Sequence, residues 1–165
     1  MNGSARLNLP FLSPGQAQKE FSHNEALQTL DILAAAAVEE EPRSDPPATP
    51  PLGDCYIIGD LPTGGWSGKN LCLAGYTSGG WRFISPLEGM NVYIKSSGTW
   101  ASFRSGAWEI GVLRGASVVI DGVQVIGSRQ GAIAPPSGGT NIDAESRAAV
   151  VQILTALRQH GLIES

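Results

Sequence analysis

Histidine and cysteine are nearly missing from this chain, which has two of each in 165 residues. His23 and His160 lie far apart, and no pair of His or Cys stands at ligand spacing, so the sequence carries no metal motif. A serine or cysteine nucleophile needs a base within reach. His23 sits at a break between two helix-start signals, where a polar capping role is simplest. His160 closes a helix, where its charge suits the dipole. Glycoside hydrolysis needs two carboxylates across a cleft, and Asp54, Asp60, Glu88 and Glu109 are ordinary turn and strand-edge acids. The glycine run Gly64–Gly68 lacks the lysine and following helix of a phosphate loop. No enzyme and no cofactor are expected.

Charge is also scarce. Charged residues make up 16% of the chain, where about 25% is usual. The formal net charge is −4, without the basic stripe that nucleic-acid binding requires. No stretch approaches ~20 continuous apolar residues, so no membrane-spanning helix is expected. Met1–Arg6 lacks a basic flank followed by an apolar core, so no signal peptide is expected and synthesis is placed in the cytoplasm. Cys55 and Cys72 fall inside apolar runs and are expected as small buried hydrophobes.

Glycine, proline and tryptophan are what the chain does have, with 21, 11 and 4 copies. All four tryptophans lie in 53–108, at Gly65-Trp66, Gly80-Trp81, Thr99-Trp100 and Ala107-Trp108. Short β-branched and aromatic runs between Gly/Ser/Pro/Asp clusters predict antiparallel strands and tight turns. The expected fold is mainly β with helices: a small antiparallel β sandwich or barrel, flanked by an N-terminal helical segment and a C-terminal helix, in an oligomer. Tryptophan rings can stack on sugars. Trp66 and Trp100, beside turns, are the candidate glycan contacts, whereas Trp81 leads an apolar run to Ile84.

The segments follow in order. Residues 1–41 are an N-terminal helical attachment segment. Ser13-Pro14 gives one helix start and Ser22…Glu25 a capping box. Leu27, Leu30, Leu33, Ala34 and Ala37 make an apolar face that needs a cover. Residues 42–52 are a proline-rich linker, extended and exposed. Residues 53–115 are the Trp/Gly-rich β module. Residues 116–127 form a hairpin about Asp121-Gly122. Pairing Ile120 with Val123 and Val118 with Val125 puts these four on one face, and Val119, Gln124 and Ile126 on the other. Residues 128–142 are a linker. In 143–165, Asp143 caps a helix that runs to about His160, with Gly161 at its C′ position. Val150, Ile153, Leu154 and Leu157 line its apolar face. This helix either folds back on its own domain or bundles with copies of itself around an axis. Leu27, Leu30, the hairpin residues Val118, Ile120, Val123 and Val125, and this helix face are the candidate oligomer interface.

Together the pieces Leu7–Leu12 (LNLPFL), Gly15–Lys19 (GQAQK), Asn24–Leu27 (NEAL), Pro50–Asp54 (PPLGD), Gly64–Gly68 (GGWSG), Gly80–Phe83 (GWRF) and Leu157–Ile163 (LRQHGLI) resemble a family of unassigned-function domains. Its members are virion proteins of tailed phages, prophages and gene transfer agents, mostly of alphaproteobacteria. The resemblance implies a structural head-spike or fibre protein carried on the virion. It implies a homo-oligomer, five copies on a capsid vertex or three in a tail fibre, that contacts capsid or other virion proteins and cell-surface polysaccharide. The short chain suits a spike base or stub. A carbohydrate-binding adhesin is the alternative.

Overall fold

The computed structural model describes residues 3–12, 19–140 and 143–164; the Ser13-Pro14 start signal lies outside them. The chain divides into two units, Met1–Val112 and Leu113–Ser165.

The first unit opens with a loop clasped to helix α1 (Lys19–Leu33). Asp31 of α1 is buried and accepts hydrogen bonds from Ser4 Oγ (2.7 Å), Arg6 N (2.9 Å) and Leu7 N (2.5 Å). The Arg6 guanidinium donates to the carbonyls of Ile32 and Ala35 at 3.0 and 2.5 Å. The Ile32 carbonyl is one the helix end leaves unpaired, and a cation there also suits the dipole. The loop decides which face of α1 turns inward. Gln28, Asp31 and Ile32 are buried, while Leu30 is exposed and Leu27 half-buried. The expected Leu27–Leu30 face is therefore not the packed one. The donors of the loop satisfy the Asp31 carboxylate and so let it turn inward with Ile32. Ser22 lies inside α1, so the Ser22…Glu25 spacing is no capping box here.

Strand β1 (Ala37–Val38) is followed by β2 (Cys55–Ile57), a 3-10 turn (Gly64–Trp66), β3 (Leu73–Thr77), β4 (Gly80–Ile84), β5 (Asn91–Ile94), β6 (Thr99–Arg104) and β7 (Ala107–Ile110). They form two sheets, β1-β5-β6-β7 and β2-β3-β4. All pairs are antiparallel except β1 with β5. The sheets do not close into a barrel. Strand alternation sends Val38, Cys55, Ile57, Leu73, Val92, Ile94 and Ala101 into one core, where Ile32 of α1 joins them. Gly75 of β3 makes room for Ile32: a Cβ there would lie 2.7 Å from Ile32 Cγ1.

The other face of β2-β3-β4 carries a second core of Tyr56, Ile58, Trp66, Cys72 and Ala74. The 3-10 turn folds Trp66 over this face, 5.8 Å from the Tyr56 ring and 5.1 Å from Trp81. The proline-rich segment is not a free exposed spacer. Arg43 N donates to Ile57 O at 3.1 Å and Arg43 O accepts from Gly59 N at 2.8 Å, while Ser44 O accepts from Thr63 N at 2.8 Å. Free backbone donors and acceptors between the prolines pair with the open edge of β2, which extended proline-flanked chain permits.

The second unit holds β8 (Val118–Ile120), β9 (Val123–Ile126) and helix α2 (Ala144–Gln159). β8 and β9 pair with each other across Asp121-Gly122, whose φ angles of 49° and 78° are those of a type I′ turn. Ile120 stands opposite Val123, but Val118 stands opposite Ile126 rather than Val125. A register shift after Val119 leaves Val125 as the extra residue of a bulge. Cross-strand partners share a face, so Ile126 joins Val118, Ile120 and Val123, and only Val119 with Gln124 marks the opposite face.

Asp143 caps α2, accepting from Ser146 N at 2.8 Å and Ser146 Oγ at 2.7 Å. Its C-terminal end is a Schellman motif: Gly161 has φ 69°, and Leu162 N donates to Leu157 O at 2.9 Å. The preceding linker is tied to α2. Arg158 donates to Ile133 O at 2.6 Å, Arg147 to Gly138 O, and Gln130 bridges Ile163. Leu154 and Ile163 are buried.

Candidate functional site

Among the described residues no group of three or more His, Cys, Asp or Glu could hold a metal ion. Both cysteines are free and buried, and burial pushes the Cys55 thiol up to about 11, away from a reactive thiolate. Burial first, then the hydrogen bond to Asp54, raises Tyr56 to about 12. The enclosed space beside Gln28 and Asp31, lined also by Ser4, Phe11 and Thr77, is about 10 Å³, the size of one water. Among the described residues no helix is long and apolar enough to cross a membrane.

Two surfaces stand out instead. The first is the outer face of β1-β5-β6-β7. Because inner residues alternate with outer ones, Ala37, Tyr93 and Trp100 form one cross-strand row, and Asn91, Ser102 and Glu109 form the next. The Trp100 side chain is 51% exposed. Tyr93 packs edge-on behind it at 5.4 Å and 65°, which holds the ring in place. Ser102 Oγ donates to Asn91 Oδ1 at 2.5 Å in the neighbouring row. On the far side Lys95 pairs with Glu39 at 2.6 Å. A flat, fixed aromatic ring flanked by amide, hydroxyl and carboxylate groups can stack on a pyranose and bond its hydroxyls.

Trp66 does not share that position. It is 0% exposed, sealed beneath its own turn, and a sugar cannot reach it. The glycine run around it folds the ring inward rather than presenting it. Of the two expected glycan contacts, Trp100 alone is on the surface. Composition did not single out Tyr93, Asn91, Ser102 and Glu109; the alternation within β5, β6 and β7 is the signal that places them together.

The second surface is apolar and belongs to residues 113–164. Val118, Val119, Ile120, Val123, Val125 and Ile126 are all 45–64% exposed. Leu113, Ile133, Val150, Val151, Ile153 and Leu162 are exposed too. Leu157 is half-buried, and Leu154 is buried within its own chain and so leaves the expected interface. On the other unit, Leu30 and Phe21 project from α1. The helix is fixed to β4 by a two-pronged ion pair, Arg82 Nε and Nη2 each 2.7 Å from a Glu25 carboxylate oxygen. That hydrogen bond holds the Glu25 carboxyl below its ordinary pKa against some desolvation.

A protein family matches residues 23–109, more than half of the chain. The chain belongs to the family described as protein of unknown function (DUF2793). The DUF2793 match runs from within α1 into β7. It therefore takes in both sheets, both cores and the Trp100 face, and it ends ahead of the hairpin and α2. No curated protein matches the chain.

Proposed function

We propose that this chain is a non-enzymatic structural protein of a virion. It serves as the base of a head spike, or as a short fibre, on a phage-like particle or gene transfer agent, and it assembles from copies of itself. The observation that carries this is the β8–β9 ribbon, six aliphatic side chains of which are about half exposed. Typical monomers expose roughly 300–600 Å² in their largest apolar patch, and such patches are commonly binding surfaces. The motif resemblance that runs through Leu7–Leu12, Gly64–Gly68 and Leu157–Ile163 supplies the setting, a capsid vertex or tail. In that setting the two-sheet module is displayed, and the capsid or other virion proteins hold the chain.

A second role within the same particle is favoured by the fixed, half-exposed Trp100 ring. It is attachment to polysaccharide on the recipient cell, with Tyr93 behind the ring and Asn91, Ser102 and Glu109 beside it.

Imaging purified particles with a label fused to this chain tests the main reading. Labels are expected at symmetric positions on the particle surface; unlabelled particles beside free labelled protein overturn it. For the second role, capsule binding is expected to fall at least tenfold in Trp100→Ala and to persist in Trp66→Phe. Equal binding by Trp100→Ala removes that ring from recognition.

A further inference from the structure

We propose that residues 113–164 are an obligate self-assembly unit, which acquires its stable fold only by packing against the same segment of other copies. This deepens the assembly reading above by naming the partner and the surface, and it does not depend on the particle being a virion.

The two units differ sharply in what they bury. The first encloses Val38, Ile57, Ile58, Trp66, Leu73, Val92 and Ile94 completely. Among the described residues of the second, only Leu154 and Ile163 are buried hydrophobics. Burying one such side chain offsets the ordering of only a residue or two. Ordering a unit of roughly fifty residues carries a large entropy cost, and cores below ~70–80 residues rarely cover it without a staple. Hydrogen bonds along α2 and the ribbon narrow the gap, but two buried side chains do not close it.

The usual staples are a disulfide, a metal or association. Both cysteines lie in the first unit and are free. No metal-holding group occurs among the described residues. Association is what is left. The surface for it is present: the ribbon face of Val118, Ile120, Val123 and Ile126, the α2 stripe of Val150 and Ile153, and the outer edges of β8 and β9, which pair only with each other. A stable interface takes about 800 Å² per partner, and the exposed ribbon and stripe are its apolar part.

The charge balance favours a second copy as the occupant. From Leu113 onward, Arg114, Arg129, Arg147 and Arg158 balance Asp121, Asp143, Glu145 and Glu164. This segment is neutral, so the net −4 of the chain falls entirely in residues 1–112. Copies meeting through the neutral segment meet there without like-charge repulsion. A segment shaped for a strongly charged partner would carry the opposite sign.

Native mass spectrometry and amide hydrogen exchange on the full chain test this, comparing wild type with the double variant Ile120→Asp, Val123→Asp. Both side chains are already exposed and sit opposite each other on one face, so a folded monomer would tolerate the change. Leu61→Asp, on an exposed residue of the first unit, is the control. The wild type and the control are expected to be oligomers with slow exchange over 118–126 and 144–159. The double variant is expected to be a monomer in which those amides exchange at least a hundredfold faster while β2–β7 stay protected. Three results overturn the proposal: a wild-type monomer with those segments protected, a double variant that stays oligomeric, or a dissociated variant that keeps the protection. A wild-type monomer whose segment becomes protected only on added capsid protein also overturns it, since the occupant is then a different protein. Failure of particle labelling with a positive result here would remove the virion role and leave the assembly unit standing.

Discussion

The side chain of Ile32 fills the space that a Cβ on Gly75 would need, 2.7 Å from its Cγ1. This close approach seats α1 on the three-stranded sheet and lets Ile32 join the core of both sheets. Gly75→Ala is therefore expected to destabilise the protein by about 1–3 kcal/mol through overpacking. Urea denaturation followed at β-sheet wavelengths measures it. A change below about 0.5 kcal/mol would mean that α1 rides freely over β3.

Much of this fold was legible in the chain, and the misses have physical causes. Asp121-Gly122 demanded a two-residue turn, and Asp143 and Gly161 marked the ends of α2, because these positions depend on local backbone chemistry alone. The buried face of α1 was not legible. It is set by Asp31 meeting three donors from a loop more than twenty residues away. The bulge that moves Ile126 onto the face of Ile120 depends on strand register, which alternation cannot reveal. Trp66 and Trp100 both stand beside turns, yet one is sealed and the other open. The difference lies in which sheet face each turn folds over, a tertiary matter.

Those two tryptophans give a paired prediction. Trp66→Ala should cost about 3–5 kcal/mol, as expected for deleting a buried aromatic ring. Trp66→Phe should cost much less, because the indole N–H has no hydrogen-bond partner to lose. Trp100→Ala should stay within about 1 kcal/mol, since half the ring already faces solvent. Thermal melts of the three variants check the order, and equal losses at the two positions would contradict the burial assigned to them.

The Glu25–Arg82 pair carries a pH signature. A carboxyl whose folded pKa is depressed stabilises the fold above its unfolded pKa, and loses that contribution as pH falls through the folded value. Glu25→Gln is expected to cost up to about 1 kcal/mol at neutral pH, the modest worth of a partly exposed pair. The gap between variant and wild type should narrow below the unfolded pKa of about 4.3. Melting curves from pH 7 to pH 3 measure it, and a gap that widens on acidification would contradict the assignment.

Sedimentation velocity of the full-length chain, across micromolar to high-micromolar concentration, tests self-assembly most directly. A single discrete species of several chain masses, persisting on dilution to low micromolar, is predicted. A monodisperse species of one chain mass at the highest concentration would contradict it.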